Sequence, residues 1–166
     1  MYAHIMASGT RYVNALNYYF RAYALVPDDP LLNLSIGLSY LQLALKNKAE
    51  NRQLNIQQAL ACIFRYRSLR VEAGSLICDQ EAEFNIARAW HMLGLTHLAF
   101  PGYRRVLELS VMLPKEQPAT EGERPAEKHP VEDFGADAAF AIQQILALNE
   151  DYESARKITE QWLVIE

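Results

Sequence analysis

Apolar positions along the chain recur at helical spacing, in segments separated by short polar breaks. The first clear segment runs Ala15-Leu16-Asn17-Tyr18-Tyr19-Phe20-Arg21-Ala22-Tyr23-Ala24-Leu25-Val26-Pro27. Small residues at 15 and 22, an aromatic at 19 and apolar Leu25 describe a helix with one close-packed face. Pro27 stops it, and Pro30 is placed to open the next helix in its first turn, where a missing N–H costs nothing. Almost no stretch alternates apolar and polar residues as a half-buried strand would. The apolar residues are mostly Leu, Ala and Ile, and the spacing predicts an all-α chain.

The pattern returns. Leu95-Thr96-His97-Leu98-Ala99 leads into Tyr103, Val106, Leu107 and Leu109 before Pro114, and Glu150–Arg156 leads into Ile158, Trp162 and Leu163. Further apolar helices are predicted at Leu31–Ala44, Glu81–Leu93 and Ala136–Leu148. The turns around Gly94 and around Asn149-Glu150 are short enough to force their helices antiparallel.

This alternation resembles the tetratricopeptide repeat, a helix–turn–helix unit of about 34 residues. Ala15, Tyr19, Ala22 and Pro27 match its second-helix positions, and Ile36, Gly37 and Tyr40 match first-helix positions of the next unit. Ile86, Ala87, Trp90, Gly94, Ala99 and Tyr103 match across a whole unit, and Tyr152 and Ala155 match in the last. The resemblance implies helix pairs stacked into a right-handed superhelix. Its divisions are a partial first unit at 1–29, a second at 30–75 with an inserted inter-helix segment, a third at 76–113 and a fourth at 135–166. Residues 2–8 read as the tail of the first unit's missing helix. Extra residues around Lys46–Arg52 either separate the second unit's helices or lengthen one. Residues 114–134 are rich in Pro and Glu and poor in apolar side chains. They cannot bury enough surface to offset the entropy of ordering, so a disordered loop is expected.

Charge and composition then narrow the function. The formal charge is −4, so bulk electrostatics does not hold the chain on nucleic acid. Arg65, Arg67 and Arg70, and the pair Arg104-Arg105, read as solvated faces near helix ends. Direct DNA contact would need them to converge on one surface and is not expected. Cys62 and Cys78 are too few for a disulfide framework, which points to buried, reduced thiols in an intracellular chain. Residues 1–10 lack the charged start and apolar run of a secretory leader, and no apolar run approaches the roughly 18 residues of a membrane span. His4, His91, His97 and His129 fall at no metal-ligand spacing, and no phosphate loop, nucleophile elbow or Cys/His pair is present. Glu81 and Glu83 read as solvated acids in a helix's first turn. No catalytic residue, metal or cofactor is assigned, and a non-catalytic chain is expected.

Two stretches are more specific than a generic repeat. One is Tyr19-Phe20-Arg21-Ala22-Tyr23-Ala24-Leu25-Val26-Pro27-Asp28-Asp29-Pro30-Leu31, running on to Ile36-Gly37-Leu38. The other is Glu83-Phe84-Asn85-Ile86-Ala87-Arg88-Ala89-Trp90-His91-Met92-Leu93-Gly94-Leu95-Thr96-His97-Leu98-Ala99. With the insertion after Leu45, they resemble the C-terminal repeat array of the tetratricopeptide subunit of transcription factor IIIC, over nearly the whole chain apart from the Pro/Glu-rich loop. The resemblance implies a nuclear scaffold that contacts other transcription factor IIIC subunits and helps recruit transcription factor IIIB for RNA polymerase III transcription. The residues alone leave open an adaptor that binds a peptide or helix in an unrelated intracellular assembly.

In repeats of this type the first helix of each pair lines the concave surface. The register places Leu31, Leu34, Leu38 and Leu41 there in the second unit, Glu81, Phe84, Arg88, His91 and Met92 in the third, and Asp137, Phe140, Gln144 and Leu148 in the fourth. Of these, Leu34, Leu38, Phe84, Arg88, His91, Phe140 and Gln144 are the candidate groove residues. Leu34, Phe84 and Phe140 occupy equivalent positions. Such a stripe suits an amphipathic helix or extended peptide laid in a groove. The competing reading is packing as core, which is favoured for the leucines. Arg88 is the lone cation, too few for a clamp on acidic chaperone tails. A second candidate is the C-terminal face, where Trp162-Leu163-Val164-Ile165-Glu166 carries no polar cap. Trp162 and Ile165 either fold back over their own helix pair or meet a partner.

Overall fold

The computed structural model describes residues 4, 7, 11–46, 51–113 and 133–163. The expectations for residues 2–8 (His4 and Ala7 apart), for 114–132 and for Ile165 lie outside the described residues. Seven α-helices and no strand are found among those described: α1 Tyr12–Tyr23, α2 Pro30–Ala44, α3 Arg52–Glu72, α4 Leu76–Met92, α5 Thr96–Met112, α6 Gly135–Leu148 and α7 Tyr152–Trp162. Each helix packs on the next in chain order, most extensively in the pairs α2–α3, α4–α5 and α6–α7. The chain is an all-α helical repeat.

Local chemistry sets the helix ends. Asp29 Oδ1 accepts from the Leu32 N–H at 2.7 Å, with Pro30 in the first turn, so α2 starts where the proline spacing placed it. Asn33, almost fully buried, donates 2.8 Å bonds to the carbonyls of Pro27 and Asp29, tying the α1–α2 connection to the second helix. The helices α4 and α6 end with the same closure. In α4 the Gly94 N–H reaches the His91 carbonyl at 2.9 Å and the Leu95 N–H reaches that of Trp90 at 3.0 Å. In α6 the Glu150 N–H reaches the Ala147 carbonyl at 3.1 Å and the Asp151 N–H reaches that of Leu146 at 3.0 Å. Both are Schellman motifs, which need a left-handed residue after the helix cap.

Small residues mark the helix crossings. A Cβ on Gly37 would stand 2.6 Å from Ile63 Cγ1 and 3.1 Å from the Ala59 carbonyl oxygen, so α2 and α3 approach as closely as a glycine allows. Ala15, Ala87, Ala99 and Ala155 are buried in the same role, whereas Ala22 is exposed. The largest core cluster, with Tyr103, Val106 and Ile142, joins α4, α5, α6 and α7.

Several boundaries differ from the pattern-based reading. The α4 helix begins at Leu76 rather than Glu81, and α3 runs for 21 residues from Arg52 to Glu72. Glu81 and Glu83 are therefore not first-turn acids. They face α3, where Arg70 pairs with Glu81 and Arg67 grips Glu83 Oε1 through Nε at 3.1 Å and Nη2 at 2.7 Å. His91 and His97 sit on different helices, α4 and α5. Cys62 and Cys78 are free and half-buried.

The last two residues of the segment expected as a loop are built into the fold. Asp133 accepts from Gln80 Nε2 at 2.6 Å, from Ser110 Oγ at 2.6 Å and from the Gly135 N–H at 2.9 Å, so it ties α4 and α5 to the start of α6. Burial works against its charge, but these three donors outweigh that and hold the carboxyl below its ordinary pKa.

Candidate protein-binding groove

Aromatic side chains from three helices meet between α4 and α6. Phe84 stacks on Phe134 with ring centroids 4.9 Å apart and 22° between planes, and lies 5.9 Å from the ring of Tyr103. Tyr103 reaches up from α5 and is 2% exposed. Burial pushes its pKa up to about 12, opposed by the nearby Arg88 charge, so the hydroxyl stays protonated. Its oxygen lies 3.3 Å from His91 Nδ1, which fixes the imidazole at the groove wall.

On this floor Phe84, Arg88, His91, Phe140 and Gln144 line one open groove of about 730 Å³. Five of the seven candidate groove residues are thus brought together, whereas Leu31, Leu41, Glu81 and Leu148, placed on the same face by register, do not line it. Phe140 is 52% exposed and presents its ring to solvent. Asp137 lies in the same groove, as does Met92, which adds an unbranched, adaptable apolar side chain. The arrangement offers an apolar floor, one guanidinium, one carboxylate and several neutral donors. No group of three His, Cys, Asp or Glu side chains among the described residues could hold a metal ion.

Leu34 and Leu38 do not reach the groove. Leu34 is buried against Tyr66 and Ala82, and Leu38 is half-buried between that cluster and the one around Leu41. The difference among equivalent positions has a packing cause. Ala82 covers Leu34 and Phe134 covers Phe84, while Phe140 has no such cover among the described residues. Sequence reasoning missed Phe134 and Tyr103 as parts of the floor. Phe134 falls at the end of a Pro/Glu-rich stretch that signals loop, and Tyr103 belongs to a second helix, which register assigns to the outside.

Trp162 is half-buried against the last core cluster, and its ring edge closes on Gly135, where a Cβ would come within 3.1 Å. The arginines singled out by sequence are largely engaged. Arg65 pairs with Asp28 at 2.6 Å, Arg67 and Arg70 pair as described, and Arg105 pairs with Glu108 at 2.8 Å.

Comparison with known proteins places this geometry. Over 164 residues, 99% of the chain, it is 36% identical to the transcription factor tau subunit sfc4 of Schizosaccharomyces pombe. It is 35% identical over 108 residues, 65% of the chain, to the transcription factor tau 131 kDa subunit of Saccharomyces cerevisiae. It is also 36% identical over 96 residues, 58% of the chain, to the human general transcription factor 3C polypeptide 3. The chain belongs to this family of transcription factor tau (IIIC) subunits. It spans 16% of the length of the fission-yeast subunit and 10% of each of the other two. No protein-family profile matches the sequence. The match to the fission-yeast tau subunit is long enough to include α4, α5 and α6 and with them the groove.

Proposed function

We propose that the chain is a non-catalytic scaffold of transcription factor IIIC. In this reading its helix pairs stack as tetratricopeptide units into a right-handed superhelix, and it acts in the nucleus by binding sister subunits. Recruitment of transcription factor IIIB for RNA polymerase III transcription belongs to the same proposal. Family membership supports the assembly, and the groove supports the mode of action. The observation that carries it is the aromatic floor formed by Phe84, Phe134 and Tyr103 beneath the exposed ring of Phe140. An apolar, concave surface of this kind suits a helix or an extended peptide.

The test is co-elution on a sizing column with each other subunit of the complex in turn, using Phe140→Glu as the groove variant. Stable co-elution with one subunit, lost in that variant, is the expected result. Co-elution with none would move the unrelated-adaptor reading ahead. Because Arg65, Arg67, Arg70 and Arg105 already hold carboxylates, the reading includes no DNA contact. Binding to DNA with an affinity that falls steeply with added salt would argue against that part.

A further inference from the structure

A second cleft, of about 570 Å³, lies between α5 and α7. It is separate from the groove. Ile142 and Leu146 of α6 line it, whereas Phe140 and Gln144 of the same helix line the groove. At 3.6 residues per turn these pairs fall on opposite faces of α6. The cleft floor is apolar, formed by Phe100, Leu107, Leu146, Ile158 and Trp162. Along one wall Phe100, Arg104, Leu107 and Val111 follow one another at helical spacing. That stripe is about 16 Å long at the ordinary rise of a helix. Val111 stands 69% exposed.

The charges around the cleft are unevenly satisfied. Glu108 is paired with Arg105 at 2.8 Å, and Lys157 with Glu153 at 2.7 Å. Asp151 accepts from the Ser154 N–H at 3.1 Å, and that capping interaction holds its pKa below the usual carboxylate value. Arg104 has no ion-pair partner among the described residues. Asp151 keeps its charge but is engaged as a helix cap, so Arg104 is the one charged side chain of the lining with neither an ion-pair nor a capping partner among the described residues.

We infer that this cleft docks an amphipathic α-helix of about three turns from another protein chain, with its apolar stripe on the floor and an Asp or Glu meeting Arg104. The floor favours a helix over an extended segment. Backbone N–H and C=O groups gain no hydrogen bonds from Phe100, Leu107 and Ile158, and a helix already satisfies its own. Nucleic acid is a poor match, because a phosphate backbone needs a run of free cations.

The test places a photo-crosslinking phenylalanine analogue at position 111 of the protein, assembled with the other transcription factor IIIC subunits, and maps the crosslinked peptide by mass spectrometry. The expected crosslink falls in a segment of another subunit with apolar residues at i, i+3 or i+4, and i+7, and with a carboxylate on the flank. Arg104→Glu then weakens co-elution of that subunit at least tenfold, and changing the partner's carboxylate to Lys restores it. Arg104 is exposed, so the variant keeps the fold, and a melting curve checks this. Four outcomes would overturn the inference: no crosslink, a crosslink confined to the same chain or a second copy, a crosslinked segment without helical periodicity, or indifference to Arg104→Glu. Phe140→Glu reports on the groove separately, so the two surfaces can fail independently.

Discussion

Glu150 occupies the backbone position that Gly94 holds one unit earlier: φ is 64° at the first and 77° at the second, each immediately after the cap of its unit's first helix. A left-handed conformation carries no steric cost for glycine but disfavours a residue with a Cβ. The hydrogen bonds of the two closures match, so the side chain is the main difference between them. Glu150→Gly is therefore expected to stabilise the chain by up to about 1 kcal/mol, after the entropy that glycine adds to the unfolded state. Gly94→Ala should destabilise it by about 1 kcal/mol. Urea denaturation of both variants reads the two signs, and a destabilised Glu150→Gly would show that Glu150 makes a compensating contact.

How far the fold was legible follows from such positions. Gly94 and the Asn149-Glu150 turn were readable because a helix stop followed at once by a new apolar period leaves only a tight antiparallel connection. The start of α4 was not. Leu76 to Gln80 precede the strongest repeat signature, and their helicity depends on packing, since Gln80 is fully buried against α5 and Asp133. Pro101 lies inside α5, in its second turn, and the helix continues through it with the surrounding apolar period. Register put Phe84, Arg88, His91, Phe140 and Gln144, which line one groove, on the same surface as Leu34 and Leu38, which do not reach it. A repeat pattern fixes which way a helix face points, not how closely the next unit covers it.

The α2–α3 crossing gives a second prediction. Gly37 lies against Ile63 Cγ1 and the Ala59 carbonyl, and the carbonyl cannot rotate away. Gly37→Ala should destabilise the chain by about 1–3 kcal/mol, and Gly37→Val by more, despite the higher helix propensity of alanine. Ile63→Ala removes the Cγ1 contact, so a double variant Gly37→Ala/Ile63→Ala less destabilised than the sum of the two single variants would place the strain there. Strictly additive losses would locate it at the Ala59 carbonyl instead.

The Asp133 junction predicts a pH dependence. Its folded-state pKa is depressed, so its contribution is fully present above the unfolded carboxylate value, about 4, and is lost as pH falls through the lower folded value. Asp133→Ala also leaves the fully buried Gln80 amide short of its best partner, which costs about 1–3 kcal/mol at neutral pH. The gap in stability between the parent and Asp133→Ala should therefore narrow as pH is lowered from 5 toward about 3. Denaturant midpoints at both ends of that range measure it. A gap that is constant with pH would mean that the carboxylate's charge contributes nothing.

The two phenylalanines at equivalent positions should separate stability from binding. Phe84 is stacked on Phe134, touches Tyr103 and belongs to the largest core cluster, so Phe84→Ala removes packed surface and should cost about 2 kcal/mol of stability. Phe140 is 52% exposed, and Phe140→Ala should change stability by less than about 0.5 kcal/mol. If the groove is the partner surface, the ranking inverts when affinity for the co-eluting subunit is measured on folded protein. Phe140→Ala should then lose at least tenfold, because an exposed aromatic in an apolar groove has the character of an interface anchor. Thermal melts paired with titration calorimetry separate the two quantities. Loss of affinity that merely tracks loss of stability across both variants would leave Phe140 with no binding role and return this position to packing alone.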